Sequence, residues 1–130
     1  MENNKTILIV DDDSDYLFQI GIQVESLGFN VIKAVGRKEG EDILNKTKPD
    51  LCIFDLMMET QDSGFILAYK CKQMYPEVPI IIATAVTTET GMVFHLETME
   101  DKSWIKADKL LEKGIRKDQL EREINKLLKI

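Results

Sequence analysis

Apolar residues fall along this chain in two alternating rhythms. Unbroken runs such as Ile7-Leu8-Ile9-Val10, Leu51-Cys52-Ile53-Phe54 and Ile80-Ile81-Ile82-Ala83 stand between longer stretches whose apolar positions recur every three or four residues. Short continuous runs suit strands buried on both faces, and the wider spacing suits helices that lay one side on a core. The first strand, 6–10, leads through Asp11-Asp12-Asp13-Ser14 into a helix carrying Leu17, Ile20, Val24 and Leu27, with Gly28 as its stop and Asp13 or Ser14 as its cap. A second strand, 30–35, feeds a helix over 37–46 that turns Ile43 and Leu44 inward, and Pro49 separates it from the third strand, which ends at Asp55.

The third helix is predicted over 64–74, and the fourth strand over 80–83, ending at Thr84. Residues 86–108 are longer than a loop, a short helix and a second loop need. Met92, Val93, Leu96 and Met99 offer only a weak helical stripe beside Gly91. A short fifth strand, 109–112, and a closing helix, 117–129, with Leu120, Ile124, Leu127 and Leu128 inward, complete the pattern. Strand and helix signals alternating in this way predict an α/β fold with a parallel sheet covered on both faces.

Composition narrows the function. The 130 residues suit one domain, 1–130, without linker or repeat. Neither a signal-peptide core nor a membrane-length apolar run is seen, so a cytoplasmic protein is expected. Cys52 and Cys71, on a strand and a helix with no paired spacing, read as reduced structural thiols. A net charge of −6 opposes nonspecific binding to nucleic-acid phosphates and leaves a protein partner open.

The chemistry gathers at strand ends. Parallel sheets bind ligands beyond the carboxyl ends of their strands, where the strand order reverses. If the first and third strands are neighbours there, Asp11, Asp12 and Asp55 converge, with Thr84 on the same rim. Clustered carboxylates repel one another, so at neutral pH they either hold a proton or recruit a divalent cation, and a small oxygen-lined site suits Mg²⁺ with a phosphate oxygen. A calcium loop through Asp11, Asp13 and Asp15 fails, because Tyr16 stands where glycine is needed and Ile22 where the bidentate glutamate belongs.

In order and register, Asp11-Asp12, Asp55, Thr84 and Lys113 on five βα units resemble the receiver domains of bacterial two-component response regulators, over essentially the whole chain. The resemblance implies a flavodoxin-like doubly wound five-stranded sheet of order 2-1-3-4-5. It implies that Asp55 accepts a phosphoryl group from a sensor histidine kinase or phosphotransfer protein. Asp12, Asp55 and the Met57 carbonyl would ligate Mg²⁺ directly, with Asp11 acting through water. Lys113 would neutralise phosphoryl charge, and Thr84 Oγ and the Ala85 N–H would hold the new phosphoryl oxygens.

Departures from the family pattern accompany these matches. Glu59 replaces the usual proline after the phosphorylation strand, and Gly64 comes one residue later than in the commonest loop. Gly114 replaces the proline usual after the lysine, where the peptide is commonly cis; before glycine a cis bond costs roughly 3 kcal/mol, so a trans bond or a rearranged turn is expected. Leu110 stands where the switch aromatic usually works with Thr84. Apolar Met57 and Val86 would flank the phosphoryl group and offer nothing to orient an attacking water, which predicts slow self-dephosphorylation. His95 is expected to be solvated or packed, and Trp104 to plug the 86–108 segment onto the core.

The expected protein is therefore a single-domain phosphoacceptor rather than an enzyme, a monomer by default with a dimer through the closing helix left open, that signals through contacts with an unknown downstream protein on the last helix, the fifth strand and residues 86–108. Two rivals use the same residues. A phosphorylation-independent module of this fold is opposed by the intact Asp12, Asp55, Thr84 and Lys113 set. A small haloacid-dehalogenase-type phosphatase, with Asp11 as nucleophile and Asp13 as acid, lacks an acidic motif after Lys113, any cap insertion and a role for Asp55.

Overall fold

In a computed structural model, residues 5–56, 63–84, 107–114 and 116–130 are described. Their order is β1 (Thr6–Val10), α1 (Ser14–Ser26), β2 (Asn30–Ala34), α2 (Arg37–Lys46), β3 (Leu51–Asp55), α3 (Ser63–Met74), β4 (Ile80–Thr84), β5 (Lys109–Glu112) and α4 (Lys117–Leu128). The five strands are all parallel and lie in the order β2-β1-β3-β4-β5. This is the flavodoxin-like doubly wound arrangement, whose switch point lies between β1 and β3.

Alternation along the strands builds two cores. Leu8, Val10, Cys52, Phe54, Ile80 and Ile82 face α2 and α3 and meet Leu44, Leu67, Ala68 and Cys71. Ile7, Ile9, Leu51, Ile53 and Ile81 face the other way, onto Leu17, Ile20 and Val24 of α1 and Leu120 and Ile124 of α4. Both faces are covered, so the central strands carry consecutive apolar residues between their polar ends, each buried Ile or Leu contributing on the order of 2 kcal/mol. Leu27, Ile43, Leu127 and Leu128 pack at the margins of these cores, half-buried rather than enclosed.

Most predicted boundaries hold within a residue. β2 stops at Ala34 and not at 35, because the exposed Val35 turns its N–H to Glu39 Oε1 (3.2 Å). α3 begins at Ser63, one residue earlier than predicted, and α4 ends at Leu128 with Lys129 left-handed at φ 61°. The Lys113–Gly114 peptide is trans, as expected.

One contact was invisible in the spacing of the cysteines. β3 and its crossover helix bring Cys52 Sγ and Cys71 Sγ to 3.8 Å in the core as free thiols, and burial pushes the Cys52 thiol well up. At the opposite rim from the acidic turn, Asp108 Oδ2 accepts from the Ile80 N–H (2.7 Å) and lies 3.0 Å from Lys72 Nζ. The Asp108 N–H donates to the Ile80 carbonyl (2.8 Å), closing a clasp between the entrances of β4 and β5.

Candidate functional site

The ends of β1 and β3 are paired through Val10↔Phe54, so the residues that follow, Asp11 and Asp55, emerge side by side. Asp11 is fixed by its main chain: its N–H donates to the Ala34 carbonyl (3.1 Å), and its carbonyl accepts from Gly36 (3.3 Å). Its Oδ1 accepts the Asp13 N–H (2.8 Å), and Asp13 Oδ1 in turn accepts from Asp15 (3.0 Å) and Tyr16 (3.3 Å), capping α1. The acidic run thus divides by role, with Asp13 starting a helix and Asp11 tied to the turn before it.

Asp55 is held just as closely. The Gly64 N–H donates to the Leu56 carbonyl (2.8 Å), drawing the start of α3 onto the end of β3. A Cβ at Gly64 would stand 2.4 Å from the Asp55 carbonyl oxygen, so only glycine permits this approach.

Asp11 and Asp55 are 1% and 6% exposed, while Asp12 is open to solvent. One carboxylate oxygen from each of the three lies within 4.8 Å of the others. Lys113, from the turn after β5, sets its Nζ 2.8 Å from Asp11 Oδ2 and 3.1 Å from Asp55 Oδ1. One ammonium among three carboxylates leaves a surplus of negative charge. Burial, then Asp11, push the Asp55 carboxyl up to about 6 against the pull of Lys113. Burial opposes the Lys113 charge, but its Asp11 and Asp55 partners outweigh that cost and raise it. A group of oxygen donors with unneutralised charge fits a hard divalent cation.

The sequence did not single out Tyr16, which the structure sets against the site. Its ring lies 4.5 Å from Lys113 Nζ, measured to the ring centroid, and burial pushes its phenol up to about 12. The available signal was helical position: Tyr16 is in the first turn of α1, four residues after Asp12, where a side chain is carried back over the carboxyl rim.

Among the residues singled out from sequence, Asp11, Asp12, Asp55 and Lys113 come together. Thr84 ends β4, with Thr84↔Glu112 and Asp55↔Ala83 in register, so its main chain is on the same rim. Leu110 pairs with Ile82 and packs, half-buried, against the core under α2 and α3. Met57, Glu59, Ala85, Val86, His95 and Trp104, and the helix weighed for 92–99, lie outside the described residues.

The chain belongs to the response regulator receiver domain family, which matches residues 7–125. It is 39% identical over 79 residues to the transcriptional regulatory protein GlrR of Escherichia coli, covering 61% of this chain and 18% of that protein. It is 32% identical over 99 residues to the phosphate regulon transcriptional regulatory protein PhoB of Pseudomonas aeruginosa, covering 75% and 43%. The chain thus spans less than half the length of these relatives. Among solved structures, it resembles a CheY-like response regulator receiver domain protein from Methanospirillum hungatei, with TM-score 0.81, 23% identity and coverage of 98% and 95% of the two chains. It also resembles the response regulator TrrA of Thermotoga maritima in complex with Mg²⁺-BeF, with TM-score 0.76, 23% identity and coverage of 95% and 98%. These two likenesses establish the fold. No described helix is long and apolar enough to cross a membrane.

Proposed function

We propose that this receiver domain accepts a phosphoryl group on Asp55 from the phosphohistidine of a sensor kinase or phosphotransfer protein. A carboxylate oxygen of Asp55 attacks phosphorus, the N–P bond breaks, and the electron pair returns to the leaving imidazole. The observation that carries this reading is the pairing of Lys113 with both Asp11 and Asp55 in a buried acidic cluster. Nucleophile and incoming group are both negative, and a fixed ammonium offsets their repulsion without reorganising at the moment of reaction.

Asp11, Asp12 and Asp55, with the Met57 carbonyl, would hold Mg²⁺, which supplies further positive charge to the phosphoryl oxygens when bound. Thr84 Oγ and the Ala85 N–H hold the transferred oxygens, a part supported by the end of β4 beside the strand of Asp55. Leu110, having no ring, leaves any coupling to Thr84 to aliphatic packing. Apolar Met57 and Val86 make self-dephosphorylation slow.

The signal passes through protein contacts, in keeping with the net charge of −6, and the two free cysteines suit a cytoplasmic location. The transcriptional roles in the relatives' names belong to proteins more than twice as long as the stretch they share with this chain.

The test is intact mass after incubation with Mg²⁺ and a small acyl phosphate, for wild type and Asp55→Ala, with beryllofluoride as the stable mimic. A single phosphoryl adduct that vanishes in Asp55→Ala is expected. An inert wild type that also ignores the mimic would establish a phosphorylation-independent module instead.

A further inference from the structure

We propose that Tyr16 is a positioning residue for Lys113: its ring face holds the ammonium at the acidic cluster, so phosphoryl transfer to Asp55 depends on the ring and not on its hydroxyl. The inference rests on the reading of Asp55 as phosphoacceptor and adds a part that the acidic and lysine motifs do not contain.

The main chain around Lys113 does little to aim its long side chain. β5 is four residues long, half-buried, and paired only with β4 among the described residues. The chain then turns at Gly114, with φ +96°, where a Cβ would meet nothing within 4 Å. Four rotatable bonds separate the backbone of this edge strand's turn from the ammonium, and holding them in one arrangement costs entropy. Partners at the far end must therefore define the position of Nζ.

Three groups do so. Asp11 and Asp55 take the ammonium at 2.8 and 3.1 Å, and the Tyr16 ring lies 4.5 Å away. A cation within about 6 Å of an aromatic centroid is attracted by the ring's negative face. The three differ in what phosphoryl transfer does to them. The Asp55 oxygen that attacks becomes part of an acyl phosphate and loses charge, so its hold on Lys113 weakens as negative charge moves to the phosphoryl oxygens. Lys113 must follow that charge. The ring does not change during the step, and it attracts the cation without competing for the phosphoryl oxygens.

The ring itself is well anchored. Its N–H is capped by Asp13 Oδ1 at 3.3 Å, and its side chain packs against the core that includes Ile7, Ile9, Ile53 and Ile81. Its phenol, pushed up to about 12 chiefly by burial, stays protonated in neutral solution and takes no part as a base. Tyr16 also borders a cleft of about 220 Å³ with Gln19, Gln23, Leu111 and Leu120. A smaller side chain there extends an existing space rather than opening a sealed core.

The experiment follows adduct formation with a small acyl phosphate and Mg²⁺ in wild type, Tyr16→Leu and Tyr16→Phe, with Tyr16→Met in place of the leucine variant if that one does not fold. Loss of the ring is expected to slow the maximal rate roughly 3- to 30-fold, with half-saturation by Mg²⁺ little changed, and Tyr16→Phe is expected to restore it. The Lys113 Hε protons, shifted upfield by the ring in wild type and Tyr16→Phe, should return to ordinary values in the aliphatic variant. An aliphatic variant as fast as wild type, or a phenylalanine variant as slow as the aliphatic one, overturns the proposal. A wild type that forms no adduct refutes instead the reading of Asp55 on which it rests.

Discussion

The two sides of the site are built by different means. The acids stand at the ends of β1 and β3, adjacent central strands with apolar residues on both faces, and their main chains are tied to Ala34, Gly36 and Leu56–Gly64. Lys113 follows half-buried β5 and precedes a glycine with open space around it, so side-chain contacts locate its charge. The carboxylates are placed by architecture and the ammonium by attraction. The acidic side should therefore resist charge changes and yield to steric ones, and the lysine side should do the reverse.

The largest effect is expected from charge removal on the lysine side. Lys113→Ala should slow adduct formation about 100-fold in a quenched time course, by the scale of losing one preorganised charge-stabilising group. The fold of the acidic turn should survive, with the Asp11 and Asp13 amide resonances in place; collapse of those signals would mean that Lys113 also holds the acids.

A steric change on the acidic side comes next. Gly64→Ala forces a Cβ to 2.4 Å from the Asp55 carbonyl, and should cost about 3 kcal/mol in urea unfolding as α3 is pushed off β3. A variant of unchanged stability would show that the approach of α3 to β3 is looser than described.

The pH dependence sharpens the contrast from the acidic side. The Asp55 carboxyl is raised to about 6, by burial first and then Asp11, so the folded metal-free protein binds this proton more tightly than the unfolded chain does. That stabilisation is fully present below about pH 4, the ordinary range of an aspartate, and is lost as pH rises through about 6. Asp55→Asn should therefore stabilise the metal-free protein by about 3 kcal/mol at pH 7.5 and by nothing near pH 4, read from thermal unfolding. A gain independent of pH would assign the effect to packing.

The smallest change lies after the lysine. Gly114→Ala meets no atom within 4 Å and carries only the strain of φ +96° in an L residue, about 1 kcal/mol. Adduct formation should stay within twofold of wild type, since side-chain partners still aim Lys113. A large fall in rate would return the aiming to the main chain.

Legibility in the sequence follows the same division. Asp11, Asp55 and Lys113 could be read because each closes or follows an apolar run, and strand ends are where a parallel sheet exposes its residues. The strand order came from the resemblance that those residues carry, and the sheet agrees with it. Tyr16 enters the sequence reading only as a residue that disqualifies a calcium loop, because its contact depends on where the first turn of α1 lies relative to the turn after β5, which periodicity does not encode. Cys52 and Cys71 are the reduced buried thiols their positions predict, but their 3.8 Å approach is hidden for a related reason: a spacing of 19 residues says nothing about a strand and the helix that crosses back over it. The end of β2 moved by one residue because the Glu39 side chain reached the Val35 N–H, a local competition no run of apolar residues announces.

The clasp at Asp108 gives the sheet a hinge. By holding the Ile80 N–H and carbonyl together with Lys72, it pins the entrances of β4 and β5 at the rim remote from the acids. The ladder joins the two strands along the whole of β5, and the clasp adds a side-chain restraint at this end. Any fraying of the β4–β5 pair should therefore begin at the carboxyl rim, where Thr84 and Glu112 are joined by the ladder without the Asp108 clasp. Amide exchange should record this as slow at Asp108 and progressively faster toward Glu112.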